Sequence, residues 1–397
     1  MSSQTETPRK GTPRKGTPEI GVLPIAVDAM GGDHGPKVVV EGAIMAARRD
    51  GISSIIVGNQ EELDKLLNNY PESDRSLISV HHASQFIQMD ESPGLAIRGK
   101  PDSSIRVAFE LISGGKASAV VSPGNTGAIM AAGVFVGGTL PGIARPAIAS
   151  LIPKGVGATP TVLLDSGANT GCQAFQLVQF ALMGNQYACS ALGIESPRIA
   201  LLSNGTEVSK GNDIIRSAAM MLSEIEGLNF IGYIEGRDIA RDVVDVVVCD
   251  GFVGNIVLKA MEGSVGLVID SMKAAMEHSL RAKFGLWLAK PVLRSVFKDK
   301  LDPSAYGGAP LLGLGQIAIK CHGSSKSRAI MNGIRVARKF VDEDVMQQLH
   351  TALGNLDSKI GPVDHDGGNG WSRVFEKRTA RGRKDGKDAD EINGGKK

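Results

Sequence analysis

Aromatic residues are scarce in this 397-residue chain, at 4%, and the formal net charge is only +2. Proteins that hold single-stranded nucleic acid stack bases on aromatic side chains along a basic groove, so no nucleic-acid partner is expected. Long apolar runs are missing too. No eighteen residues pass without Gly or charge, and no bilayer-spanning segment is expected. Cysteine is limited to Cys172, Cys189, Cys249 and Cys321, with no close pair and no secretory hydrophobic segment before them. That pattern points to a reducing cytoplasm and free, mostly buried thiols.

Several catalytic signatures are absent. No Gly-x-Gly-x-x-Gly follows an apolar β-branched run, which weakens a dinucleotide site. Lys210 does not fit Gly-x-x-x-x-Gly-Lys-Ser/Thr, so there is no nucleotide P-loop. Without Gly-x-Ser-x-Gly, His-x-x-x-His or Cys-x-x-Cys, neither a hydrolase elbow nor a bound metal is expected.

Glycine, in contrast, is abundant at 50 residues and has no Gly-x-y period, which implies many tight strand–helix turns. Short β-branched runs alternate with helical patterns. Ile25–Asp28 precedes a helix over Lys37–Arg49, and Ser54–Val57 precedes Glu61–Leu67. Ala117–Val121 leads to an apolar helix ending near Val136, and Thr161–Asp165 to one reaching about Leu192. Arg198–Ser203 precedes Asn212–Glu224, and Val243–Asp250 precedes a helix from Ile256. These βα units predict an α/β fold with a mostly parallel sheet in an αβα sandwich. Ligands of such sheets sit beyond the strands' carboxyl ends, and all six polar loops are expected on that one edge.

Residues 23–355 read as a single domain with a helical hairpin at about 270–301. Residues 1–22, with Thr-Pro-Arg-Lys-Gly at 7–11 and again at 12–16, read as a disordered basic tail. Residues 356–397 read as a mostly disordered charged tail.

The loop from Asp28 through Gly31, Gly32, Asp33 and His34 ends at Pro36, which suits a helix's first turn. It reads as an anion site, its small residues letting backbone amides approach a ligand. Asp28, Asp165 and Asp250 each close a strand; such residues brace turns or orient a ligand's partners. Gly124 and two Asn-Thr-Gly triplets, Asn125-Thr126-Gly127 and Asn169-Thr170-Gly171, offer amide and hydroxyl donors to an oxyanion, or simply cap helices. Lys210, in a loop with Asn204, Thr206 and Glu207, would bring positive charge to the strand edge. His34 could polarise a reacting group or merely hydrogen-bond. His322 lies in another strand–Gly/Ser–helix turn and reads as an anion-facing or subunit-contact residue.

Ser279–Leu301 is different in kind: basic, broken by Pro291, with Phe284, Trp287, Leu288, Leu293 and Phe297 at helical spacing. It reads as a surface for membrane or an acidic protein, or as a hairpin packed on the core or a second subunit.

Five motifs in order carry a family resemblance. Val-Asp-Ala-Met-Gly-Gly-Asp (27–33), Ser-Pro-Gly-Asn-Thr-Gly-Ala (122–128), Asn-Gly-Thr-Glu-x-x-Lys-Gly (204–211), Asp-Gly-Phe-x-Gly-Asn (250–255) and Tyr-Gly-Gly-Ala-Pro-Leu-Leu-Gly (306–313) resemble bacterial acyl-ACP:phosphate acyltransferases, the PlsX family. The similarity runs from about Ile25 to Phe340. It implies transfer of a long-chain acyl group from acyl carrier protein to inorganic phosphate. The acyl phosphate would feed phospholipid synthesis through a membrane glycerol-3-phosphate acyltransferase. It further implies a cytoplasmic homodimer peripherally associated with the inner face of the cell membrane. The implied fold is isocitrate/isopropylmalate dehydrogenase-like, with no cofactor and no metal. Residues 170–175 are less polar than the family pattern.

Phosphate is already a competent nucleophile and thiolate a good leaving group, so positioning and oxyanion stabilisation remain for the protein to supply. Phosphate is assigned to the 31–35 loop and the Asn125/Thr126 amides. Lys210, Asn255 and His34 are assigned to catalysis. A phosphate acetyltransferase-like enzyme using acyl-CoA, and a non-enzymatic membrane-associated scaffold, are the alternatives.

Overall fold

Strand β1, Ile25–Asp28, is buried at all four positions, as a strand covered on both faces must be. The computed structural model describes residues 22–155, 157–277, 284, 285, 288 and 307–360. The other strands are β2 (Ser54–Gly58), β3 (Ile78–His82), β4 (Ala119–Ser122), β5 (Ala147–Ile152) and β6 (Thr161–Leu164). They continue with β7 (Ile199–Leu202), β8 (Phe230–Ile234), β9 (Val246–Val248), β10 (Ala309–Leu312) and β11 (Ala318–Lys320). Helices among the described residues are α1 (Pro36–Asp50), α2 (Gln60–Leu67), α3 (Glu72–Arg75), α4 (Pro93–Gly99), α5 (Ser104–Ser113) and α6 (Thr126–Gly137). After them come α7 (Ala174–Leu192), α8 (Asp213–Ser223), α9 (Gly251–Glu277), α10 (Ser327–Asp342) and α11 (Val345–Ile360).

All eleven strands join one sheet in the order β3-β2-β1-β4-β11-β10-β5-β6-β9-β7-β8. Period-two alternation sorts each strand's side chains to opposite faces. Ile25 and Val27 pack with α1 and α10, while Ala26 and Val120 pack with α5 and α6. At the other end Val162 and Leu164 pack with α7 and α11, while Leu163 and Val247 meet Val257, Leu258 and Met261 of α9. The αβα sandwich is therefore the architecture.

Strand direction departs from the sequence reading. β1, β2, β3, β4 and β11 run parallel to one another, as do β6, β7, β8 and β9. Between them β11–β10, β10–β5 and β5–β6 are all antiparallel. Three reversals turn the second set over, so the polar loops leave by two opposite edges instead of one.

A second correction concerns α9. It begins at Gly251, not Ile256, because a bare backbone is needed where the helix leaves β9. A Cβ on Gly254 would lie 1.9 Å from the Asp165 carbonyl oxygen. Asn255 is consequently a helical residue. Gly251–Ala274 is also long and apolar enough to cross a membrane by length and composition, with mean hydropathy 1.5 and 6% of it buried. Lys259 and Glu262 interrupt it, which is why the sequence shows no clean apolar run. The proposed tails fall almost wholly outside the described residues, as does most of the hairpin beyond Glu277.

Candidate active site

Where β1 ends, the backbone passes through space that side chains would block. A Cβ on Gly31 would lie 2.7 Å from the Gly124 Cα, and Gly32 has φ +85°, in the left-handed region open to glycine. Beneath this crossing Asp28 is buried. It accepts from Ser122 Oγ at 2.6 Å and from the Met30 N–H at 3.2 Å, while Ser122 Oγ accepts from the Gly124 N–H at 3.0 Å. Burial pushes the Asp28 carboxyl above its ordinary range, against the pull of Ser122 and Ser104. Asp28 therefore ties the β1 and β4 loops together. Asp33 and His34 are exposed, and the Asp33 N–H donates to the Gly323 carbonyl at 2.9 Å, drawing in the loop after β11.

Asn125 is the N-cap of α6. Its Oδ1 accepts from the Ala128 N–H at 3.1 Å and its Nδ2 donates to the Met89 carbonyl at 2.7 Å, so both ends of the side chain are committed. What this terminus offers an anion is the backbone: Thr126 and Gly127 occupy the first helical positions, whose N–H groups lack intrahelical acceptors.

The second Asn-Thr-Gly loop turns inward. Asp165 accepts from the backbone N–H groups of Ile148, Gly167, Ala168 and Asn169 and from Asn169 Nδ2, at 2.7–3.1 Å. Asn169 Nδ2 also donates to the Pro146 carbonyl. Burial pushes the Asp165 carboxyl up while these donors oppose it. The amides expected to face a ligand are spent on one buried carboxylate. Asp250 is similar in kind: it accepts from the Cys172 and Phe252 N–H groups, both at 2.8 Å. Burial raises its carboxyl, but those amides outweigh it and leave it below its ordinary value. Cys172 is pushed up to about 12 by burial and by Asp250, so it is an unreactive thiol.

Lys210 follows β7 in a loop folded on itself. Asn204 Oδ1 accepts from the Gly211 N–H at 3.0 Å, the Lys210 N–H donates to the Glu207 carbonyl at 2.9 Å, and the lysine stem runs over Gly205. Thr206 and Glu207 are exposed. Among the described residues the Lys210 ammonium has no ion-pair partner. β7 and β9 are neighbours in register, so the Lys210 loop and the Asp250–Asn255 turn leave adjacent strands. Asn255 is exposed on the second turn of α9, its side chain lying against Gly167.

α9 then links the two oppositely directed halves of the sheet. Lys259, four residues beyond Asn255 and on the same face, has its Nζ 2.9 Å from His322 Nε2 in the loop after β11. Lys259 also pairs with Glu262 at 2.7 Å, and His322 Nδ1 lies 2.8 Å from Ser324 Oγ. Burial lowers the His322 pKa, and Lys259 and Lys320 lower it further. The sequence reading passed over Lys259 and Lys320. Knowing that α9 starts at Gly251 would have placed Lys259 one turn from Asn255.

The assigned residues thus fall in two groups. Asp28, Gly31, Gly32, Asp33, Gly124, Asn125, Thr126 and Gly127 gather around β1 and β4. Asn169, Asn204, Thr206, Glu207, Lys210, Asp250 and Asn255 gather around β6, β7 and β9. His34 follows Asp33 in the first group's loop, but among the described residues its side chain makes no hydrogen bond or ion pair with either group. Phe284 and Leu288 are exposed. Trp287, Leu293 and Phe297 lie outside the described residues.

Residues 23–348 match the family model described as fatty acid synthesis protein. The phosphate acyltransferase of Syntrophotalea carbinolica is 49% identical over 330 residues, covering 83% of this chain and 94% of that protein. That of Pelotomaculum thermopropionicum is 46% identical over 337 residues, covering 85% and 97%. Among solved structures, a phosphotransacetylase from Streptococcus pyogenes matches with a TM-score of 0.54 at 18% identity, covering 82% of this chain and 94% of that one. This last likeness is one of fold.

Proposed function

The chain belongs to the phosphate acyltransferase family, and from that premise we propose that it moves a long-chain acyl group from acyl carrier protein to inorganic phosphate. It is an acyltransferase enzyme of fatty acid and phospholipid synthesis. The observation that carries the reading is near-complete coverage of the curated relatives at high identity. The site geometry is consistent with it. Its buried strand-end carboxylates brace loops, and cations and amides are left as the groups free to meet substrate.

In the proposed step a phosphate oxygen attacks the thioester carbon and the carbon–sulfur bond breaks. The proton carried by hydrogen phosphate ends on the departing thiolate. The oxygen of the tetrahedral intermediate takes on charge, and the Asn255 amide and Lys210 ammonium are the donors assigned to it. Both come from adjacent strand ends, which allows them to act on one atom. The α6 terminus at Thr126 and the Gly31–Asp33 turn belong to the other group of loops, towards which α9 reaches through Lys259 and His322.

Purified protein given palmitoyl-carrier protein and phosphate should form acyl phosphate only when both are present. Palmitoyl-CoA should be the poorer donor. Thioester that persists regardless of phosphate would refute the reading and favour a scaffold.

The finer assignments belong to the same proposal: a homodimer, cytoplasmic, lying against the inner membrane face and passing acyl phosphate to a membrane acyltransferase. Exposed Phe284 and Leu288, 63% and 59% accessible on a basic segment, support surface binding. Leu288→Glu combined with Phe284→Glu should reduce co-sedimentation with anionic liposomes several-fold at unchanged thermal stability. Equal sedimentation would remove the lipid version.

A further inference from the structure

Between β3 and α4 the chain forms a strap, residues 84–92, that borders the first group of site loops. It is held along its length. The Phe86 carbonyl accepts from Lys100 Nζ at 3.0 Å, the Gln88 N–H donates to Glu91 Oε1 at 2.8 Å, and Glu91 pairs with Lys100 at 2.6 Å. Ile87 is buried and lines a small cavity with Asp28, Gly31 and Asn125. Asn125 Nδ2 completes the anchoring by donating to the Met89 carbonyl at 2.7 Å.

Met89 is the residue this anchoring fixes over the loops. While its carbonyl meets Asn125, its side chain runs to the loop after β11. A Cβ on Gly323 would stand 3.2 Å from Met89 Cε and 3.3 Å from both carboxylate oxygens of Asp33. At the end of the strap Pro93 packs on α6, where a Cβ on Gly127 would lie 2.5 Å from the Pro93 Cγ. The strap therefore touches both the Gly31–Asp33 turn and the α6 terminus, whose amides are the groups assigned to phosphate. Met89 nevertheless stays 48% exposed. A flexible thioether side chain suits an apolar ligand of variable shape and offers phosphate nothing.

We propose that Met89 is a specificity-determining residue that packs on the first methylenes of the donor's acyl chain. The inference rests on the acyl-transfer reading and deepens it by placing the chain. The reaction joins a phosphate oxygen to the acyl carbon, so the chain has to begin beside the phosphate, wherever phosphate sits. Phosphate, the amide-bearing thioester arm and the chain all meet there, and only the chain is wholly apolar. Packing its methylenes on Met89 removes apolar surface from water on both sides.

Met89→Gln tests the assignment, because glutamine keeps length and neutrality while the strap's anchors lie on other groups or on the backbone. Acetyl, octanoyl and palmitoyl thioesters of carrier protein are compared, followed to single turnovers where slow. The kcat/KM should fall about 10-fold for octanoyl and palmitoyl, the effect of two lost methylene contacts, and less than about 2-fold for acetyl. Met89→Leu should keep most of the long-chain activity. The KM for phosphate and the thermal melting temperature should not move in either variant. An equal loss for all three donors would mean that Met89 meets the thioester arm or only braces the strap. That result, like unchanged activity throughout, overturns the inference while transfer itself continues. Binding of palmitoylphosphonate separates the two readings. Should the wild-type protein form no acyl phosphate, yet bind this analogue more tightly than Met89→Gln does, the transferase reading falls and the chain site stands. Equal binding by both proteins would remove the chain site as well.

Discussion

Lys210→Ala is expected to reduce acyl phosphate formation about 10²–10³-fold, the typical effect of removing one oxyanion donor. The neighbouring groups cannot replace it. Asp165 and Asp250 carry the wrong sign and accept backbone N–H groups, and the Asn204 side chain is oriented by its Oδ1 accepting from the Gly211 N–H. Lys210 makes no ion pair among the described residues, so little folding stability depends on its charge. Lys210 is half-buried with its stem over Gly205, so a loss of stability of only about 1 kcal/mol or less is expected. A loss confined to kcat would identify an interaction made in the transition state, and a rise in KM alone would identify ground-state binding. Lys210→Arg keeps the charge but spreads it over a planar fork, so partial activity is expected. Turnover near wild type in Lys210→Ala would remove this lysine from the mechanism.

The largest expected stability effect is at Asp165. Its carboxylate accepts from four backbone N–H groups and the Asn169 amide, and Asp165→Ala leaves all of them facing a buried void. Each unsatisfied buried donor costs about 1–3 kcal/mol, although neighbours do not add and some will recruit water. A total loss of roughly 3 kcal/mol or more follows, read as a lower urea midpoint at unchanged m value. Asp165→Asn keeps one acceptor oxygen and should lose less. If Asp165→Ala shifts the midpoint by under about 1 kcal/mol, the carboxylate does not organise this loop. Activity should fall as well, because the loop lies against Asn255.

Much of the architecture was legible locally. The six runs read as strands all form strands, because continuous apolar β-branched segments suit positions covered on both faces. Others were hidden by their own chemistry. β10 contains Pro310, which cannot donate to a ladder, and β5 follows directly on Pro146. β3 and β8 are the sheet's outer strands, half-exposed and mixed in polarity. The glycine turn at Gly31 and Gly32 was recognisable from composition, and the structure supplies its cause in the contact with Gly124.

The amino-acid sequence by itself determined the family, the layered α/β class and the loops in which site residues gather, since these depend on side-chain period and on ordered short motifs. Only the tertiary structure decided which donors remain available. Asn125 and Asn169 are chemically alike on paper, yet one caps a helix and the other braces a buried aspartate. Strand direction was likewise invisible, because a strand has no local mark of whether its neighbour runs with it or against it. Three antiparallel pairs separate the two sets of loops, and α9 reconnects them through Lys259 and His322, residues 63 positions apart. A contact that distant is a product of packing, beyond the reach of any local pattern.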